Sequence, residues 1–202
     1  MKKVVKFGGS SLASAEQFQK VGAIIHSDDS RVYVVPSAPG KRHDGDIKVT
    51  DLLYECYELA SEGKNFYEPF LAVKDRYNIE EHLLNNPERD YLASRGEYLN
   101  GLIMSEYLNF EFIDAKDVIF FNEAGEYDDV KTNSILSARL ENIEHAVIPG
   151  FYGSDHNGKI KTFSRGGSDI TGAIVASAIK AGVYENWTDV SGLLMADPHI
   201  VS

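Results

Sequence analysis

A chain of 202 residues, 43% of them apolar, can bury a substantial core, and one domain is the simplest count. With 31 acidic against 20 basic residues the net charge is −11, and no basic stripe runs along the chain, which argues against a nucleic-acid surface. The single cysteine, Cys56, excludes an internal disulfide and fits a reducing compartment, and no run approaches the ~20 apolar residues of a membrane helix, so the expectation is a soluble, cytoplasmic domain.

Val4-Val5-Lys6-Phe7 reads as a buried strand that enters the glycine loop Gly8-Gly9-Ser10-Ser11, with helical spacing from about Ala15 to Ile25. The loop matches neither the P-loop nor the dinucleotide fingerprint, because the lysine precedes the glycines. Lys6 is thus either a solvated strand end or a cation aimed into a site beside exposed amides. Val32–Val35 is a second strand, stopped by Pro36-Ser37-Ala38-Pro39-Gly40, and the polar segment from Lys41 to Lys48 reads as a loop. Helices follow over Asp51–Ala60, with Thr50 at the expected cap, and over Tyr67–Tyr77; residues 79–90 are polar and weakly patterned.

Ser94–Leu108 is strongly helical, with positions 98, 99, 102, 103, 107 and 108 on one face. Glu97 falls near its expected N-terminus, where the helix dipole alone favours a carboxylate. Short strands are expected at Glu111–Ile113, Val118–Phe121 and Ala146–Ile148, with a helix at Thr132–Asn142 and a hairpin turn at Asp155-His156-Asn157-Gly158. Lys161–Gly172 reads as a strand, a tight glycine turn and a helix from about Ser168 to Lys180, with Ser168 as cap. This is either an anion-binding helix terminus flanked by Arg165 and Asp169 or an ordinary capped turn. After it, a strand over Tyr184–Trp187 ends in Thr188-Asp189, which either contacts a ligand or closes a side-chain turn. The six histidines show no metal-ligand spacing, so no protein-built metal site is expected.

Strands and helices alternate, with glycine or polar loops after several strands. The pattern predicts an α/β fold, a three-layer α/β/α sandwich with a mostly parallel central sheet. Ligands in such folds sit at the carboxyl ends of the strands, where Lys6, Ser37, Gly150 and Thr188-Asp189 are expected to collect.

Five motifs in order, Lys6-Phe7-Gly8-Gly9-Ser10-Ser11, Ser94-Arg95-Gly96-Glu97, Pro149-Gly150-Phe151, Ser164-Arg165-Gly166-Gly167-Ser168-Asp169 and Trp187-Thr188-Asp189-Val190-Ser191-Gly192 with Ala196-Asp197-Pro198, closely resemble aspartokinase, in the amino-acid kinase superfamily with its carbamate kinase-like fold. The resemblance spans Lys2 to Ser202 and implies transfer of the ATP γ-phosphate to the β-carboxylate of L-aspartate, the first step of lysine, threonine and methionine biosynthesis. It implies Lys6 on the phosphoryl group in flight, assisted by the amides of Gly8 and Gly9, Ser10 beside them as a nucleotide-binding residue, and Asp169 organising the lysines. It implies Arg165 on a substrate carboxylate, Glu97 on the substrate ammonium, and Thr50 and Ser168 as further polar contacts. Thr188 and Asp189 would lie against the nucleotide, Mg2+ would be held mainly by its phosphates, and the intact enzyme would be a homo-oligomer.

Leu194 stands where a nucleotide-contacting tyrosine is common, and His199 where arginine is usual. Family members continue beyond the equivalent of Ser202 into a second nucleotide-side lysine and usually two ACT domains. The chain is therefore expected to be an amino-acid kinase domain over 1–202 that is incomplete at its C-terminus, without ACT domains and poorly active alone. Glutamate 5-kinase, acetylglutamate kinase and uridylate kinase share the fold and the first loop, and an inactive aspartate-binding module is the alternative of a different class. The Arg-Gly-Gly-Ser-Asp and Trp-Thr-Asp-Val motifs favour aspartokinase.

Overall fold

The central strand dictates which helices can reach the site. In the computed structural model, which describes residues 1–77, 88–164 and 166–188, β1 (Lys3–Phe7) lies between β2 (Arg31–Pro36) and the last described strand, Val183–Trp187. Successive side chains of a strand point to opposite faces. Val4 accordingly joins one buried cluster and Val5 and Phe7 the other, and Lys6 shares the face of Val4. Helix α1 (Ala15–His26), started by the Ser14 side chain, covers the Val5–Phe7 face through Val21 and Ile25.

After β2 come α2 (Val49–Ser61), α3 (Tyr67–Tyr77) and α4 (Arg89–Leu108), which ends at Asn109 in the left-handed conformation. Met104 and Leu108 of α4 complete the α1 face, while Leu92 packs with Val49, Leu53 and Val73 in a satellite cluster under α2 and α3. The two-residue strands β3 (Glu111–Phe112) and β4 (Ala146–Val147) flank α5 (Asp129–Leu140), whose first turn is capped by Asp128 accepting from the Lys131 amide at 3.0 Å. The hairpin β5 (Tyr152–Ser154) and β6 (Ile160–Thr162) stands apart from the main sheet, its turn closed by Asp155 and Gly158 as expected. Helix α6 (Gly167–Ala178) then leads into β7 (Val183–Trp187). Leu136 and Leu140 of α5 and Ile174 and Val175 of α6 cover the Val4 face.

The five-stranded sheet runs β3-β4-β2-β1-β7, with every pairing parallel and helices on both sides. The three-layer α/β/α sandwich expected from the sequence is therefore present. Among the described residues no helix is long and apolar enough to cross a membrane.

Four local expectations are corrected. Thr50 is not a cap: Lys48 is the extended residue before α2, and Val49, fully buried, already belongs to the helix. Ser168 is not a cap either, because Gly166 takes that position at φ 78, which glycine adopts without strain. Glu97 lies well inside α4, which starts at Arg89 because Leu92 and Ala93 are already core residues, so the helix dipole does not account for it. Val118–Phe121 forms isolated bridges rather than a strand, since the Phe120 amide donates to Thr132 Oγ1 at 3.0 Å and only single pairings join Phe120 to Ser154 and Phe121 to Tyr127. The 79–90 segment lies outside the described residues up to 87; from Arg89 it is helix.

Candidate active site

At the carboxyl end of the sheet, beside β1, is a cleft of roughly 530 Å³. Lys6 enters it from β1. Its side chain is almost completely buried, and Nζ lies 2.7 Å from Asp169 Oδ1 in the first turn of α6. Alternation explains the pairing: Lys6 is on the sheet face that α6 covers. Asn186, directly opposite Lys6 in the β1–β7 register, donates from Nδ2 to the same Asp169 oxygen at 3.1 Å. Asp169 is half exposed, so one side of the carboxylate orients the lysine while the other faces the cleft.

Two glycine segments meet above Lys6. The Gly40 amide donates to the Gly9 carbonyl at 2.7 Å, and a Cβ on Gly9 would lie 2.7 Å from the Ala38 carbonyl oxygen. Both contacts are with backbone, which cannot swing aside. Gly9→Ala should therefore destabilise the protein by about 1–3 kcal/mol and part the two loops; a chemical-denaturation midpoint equal to that of the parent would contradict this packing. The Gly8 amide is committed to the Trp187 carbonyl at 3.1 Å, extending the β1–β7 ladder, which corrects its expected part in anion binding. The amides of Gly9 and Ser10 have no acceptor among the described residues, and both residues line the cleft, so they are the loop donors available to an anion.

Glu97 reaches the cleft from the middle of α4. The close approach of α4 requires Gly96, where a Cβ would meet the Ala38 Cβ at 2.8 Å. The Glu97 side chain is buried, accepts the Ala38 amide, and leaves Oε2 with no partner among the described residues. Burial pushes its carboxyl up to about 8, against the lowering effect of the Ala38 and Glu97 amides. An unpaired buried carboxyl oxygen is costly and calls for a cation. Its neighbour Arg95 serves packing instead, its guanidinium stacked 4.3 Å from the Tyr91 ring and 4.2 Å from that of Tyr98.

Thr50, Ser168 and Thr188 line the same cleft as Lys6, Gly8, Gly9, Ser10, Glu97 and Asp169. Gly150 lets α6 dock, since a Cβ there would lie 2.6 Å from Ser168 Cβ. Phe151, also lining the cleft, is held at φ 77, a left-handed conformation that costs a bulky residue of order 1–3 kcal/mol and is held by the hydrogen bond its amide donates to Thr171 Oγ1. Arg165, Asp189, Leu194 and His199 lie outside the described residues. Sequence reading missed Asn186, Lys41 and Lys48, all at or beside the site. A polar residue inside an otherwise strand-like run was the available signal for Asn186; the two lysines had none, being part of an ordinary-looking polar loop.

An α/β sandwich thus brings a strand-end lysine, its aspartate partner and glycine-loop amides without an acceptor among the described residues into one cleft, an arrangement suited to holding an anion. The chain belongs to the Amino acid kinase family, which it matches over residues 1–202. It is 37% identical to Aspartokinase 3 of Bacillus subtilis, the alignment covering 98% of this chain and 51% of that protein. Its structure superposes on that of Clostridium acetobutylicum aspartate kinase with a TM-score of 0.91 and 50% identity, over 99% of this chain and 50% of the other. It also superposes on Escherichia coli aspartokinase III in complex with aspartate and ADP, with a TM-score of 0.82 and 26% identity, over 100% and 52% of the two chains. The chain thus spans about half the length of the curated relatives it matches.

Proposed function

We propose that this cleft serves an aspartate kinase, in which a β-carboxylate oxygen of L-aspartate attacks the γ-phosphorus of ATP and ADP leaves, giving 4-phospho-L-aspartate. The observation that carries the reading is the coexistence, in one cleft, of the Lys6–Asp169 pair and the partnerless buried oxygen of Glu97. The first suits a phosphoryl group, and the second suits an ammonium. Phosphoryl transfer needs alignment and charge neutralisation more than covalent participation by the protein. Lys6, with the Gly9 and Ser10 amides, takes the charge that develops on the phosphoryl oxygens, and Asp169 with Asn186 holds the ammonium in place.

On the amino-acid side Glu97 receives the α-ammonium, Thr50 and Ser168 add hydroxyl contacts, and Arg165 grips a carboxylate. Thr188 and Asp189 lie against the nucleotide, with Leu194 and His199 beyond them. The described residues contain no group of three metal-ligating side chains, and the Asp169 oxygen nearest Lys6 is already occupied by two donors. Mg2+ held mainly by the nucleotide phosphates would supply further charge neutralisation. The biological setting consistent with this reading is a cytoplasmic homo-oligomer opening lysine, threonine and methionine biosynthesis.

The test is hydroxamate trapping of the acyl phosphate with ATP and L-aspartate, set against L-glutamate, N-acetylglutamate and uridylate as acceptors. Aspartyl hydroxamate alone is expected; product from another acceptor only would replace the reading. A second expectation follows from Glu97. At pH 7 its carboxyl is mostly protonated in the free protein, and an incoming ammonium favours the carboxylate, so aspartate binding should release up to about one proton, falling towards zero above pH 9. Titration calorimetry in buffers of different ionisation enthalpy measures this number directly. A value near zero at pH 7 would remove Glu97 from the ammonium site.

A further inference from the structure

The loop between β2 and α2 brings cations to the cleft in two distinct states. Both arginines at this loop are engaged, sharing the one carboxylate of Asp46. Arg42 forms a two-point pair with Asp46 at 2.9 Å, and Arg76 of α3 reaches the same carboxylate at 2.9 Å while its second nitrogen donates to the Gly40 carbonyl at 2.6 Å. Asn100 holds the other end of the segment through the Ser37 carbonyl at 2.7 Å. The backbone is thus fastened at Ser37, Gly40 and Asp46. Lys41 and Lys48 lie on this fastened loop, line the cleft, and have no ion pair or hydrogen bond among the described residues. Most other described lysines are held in an ion pair or over an aromatic ring, so this pair stands out.

The charge of the cleft makes these two lysines matter. Lys6 is offset by Asp169, and Glu97 adds a second carboxyl, so the other described charged groups of the cleft give no net attraction for a polyanion. The protein as a whole carries −11 and repels one. We infer that Lys41 and Lys48 bind the polyphosphate of the nucleotide, a role that rests on the nucleotide-dependent reading proposed above. A polyphosphate carries several charges spread along a chain, which two flexible ammonium groups can meet, whereas a single carboxylate is better matched by the planar fork of an arginine. The position agrees: Gly40, directly before Lys41, packs against the Gly9–Ser10 segment, whose amides are the unpaired anion donors.

The experiment is calorimetric binding of ADP, inorganic tripolyphosphate and L-aspartate, each alone, to the parent chain, to Lys41→Met/Lys48→Met and to Lys41→Arg/Lys48→Arg. Both lysines are exposed, so the fold should persist, and circular dichroism checks it. The methionine variant should bind ADP and tripolyphosphate at least roughly tenfold more weakly, since a hydrogen bond to a charged group contributes about 1.5–3 kcal/mol. Its affinity should also depend less on salt, the arginine variant should recover most of the loss, and aspartate binding should be unchanged. Unchanged nucleotide affinity and salt dependence would overturn the assignment, as would loss of aspartate binding alone, or a parent chain that binds neither polyanion. A parent chain that binds both polyanions in a lysine-dependent way but does not bind L-aspartate would leave this inference standing and sink the aspartate kinase reading instead.

Discussion

Lys6→Met should lower the rate of aspartyl phosphate formation by a factor of about 10²–10³, the loss typical of removing one donor that acts on transition-state charge. Michaelis constants for aspartate should change little, because the role proposed for Lys6 is on charge that develops during transfer. The fold should tolerate the change. Methionine matches the length of the lysine stem in the buried passage from β1, and the Asp169 carboxylate left behind is half exposed and keeps its bond from Asn186. Single-turnover kinetics with hydroxamate trapping in an active preparation, beside a denaturation curve of the same variant, separates the two effects. A variant with normal turnover and only a raised Michaelis constant would reduce Lys6 to a binding residue.

The second large effect is expected at Glu97, and it has opposite signs for binding and stability. Glu97→Gln keeps the shape and the acceptor for the Ala38 amide but removes the charge proposed to receive an ammonium. Aspartate affinity should fall by a factor of the order of 10² or more, corresponding to at least about 3 kcal/mol for a buried pair that loses one charge. Without ligand the same variant should be more stable than the parent at alkaline pH. The folded-state value of about 8 is raised above the ordinary 4.5, so the folded protein holds a proton that the unfolded chain gives up. Stability from this group is fully present below the unfolded value. It declines as pH rises between the two values and is gone above about 8. At 1.4 kcal/mol per unit, the parent should lose on the order of a few kcal/mol relative to Glu97→Gln between pH 5 and pH 9. Parallel melting curves of the two proteins across that range would expose Glu97 as a solvated or already paired carboxylate. Saturating aspartate should narrow the gap, because it supplies the missing cation to the parent alone.

On the proposed reading, the parent keeps a destabilising group in its core, and the same feature should favour a ligand that carries a cation. A buried acceptor without a partner penalises any ligand that fails to bring a cation to it. Phe151, strained at the rim of the same cleft, is a second local cost placed at the site rather than elsewhere.

Much of this protein was determined by local sequence. Val4-Val5-Lys6-Phe7 alternates so that Lys6 must share a face with Val4, and the strand-to-glycine transition after it marks a carboxyl-end loop without any tertiary information. The helices at Ala15 and Tyr67, the hairpin at Asp155–Gly158 and the parallel α/β class follow from period, caps and turn residues, which are short-range physics. The end points of other elements were decided by burial. Val49, Leu92 and Ala93 draw α2 and α4 to earlier starts than their polar residues suggest, and that places Glu97 inside a helix instead of at its end. The pairings that make the cleft chemical also came only with the tertiary structure. Lys6 meets Asp169 and Asn186 because the sheet order sets β7 beside β1 and lays α6 over that face. The Gly8 amide is consumed by the same adjacency, and the Asp46–Arg76 clamp joins residues on separate elements. A sequence displays which groups can carry charge, but whether a charge is solvated, paired or left waiting for a ligand depends on long-range contacts that bring distant segments within a few ångströms of one another.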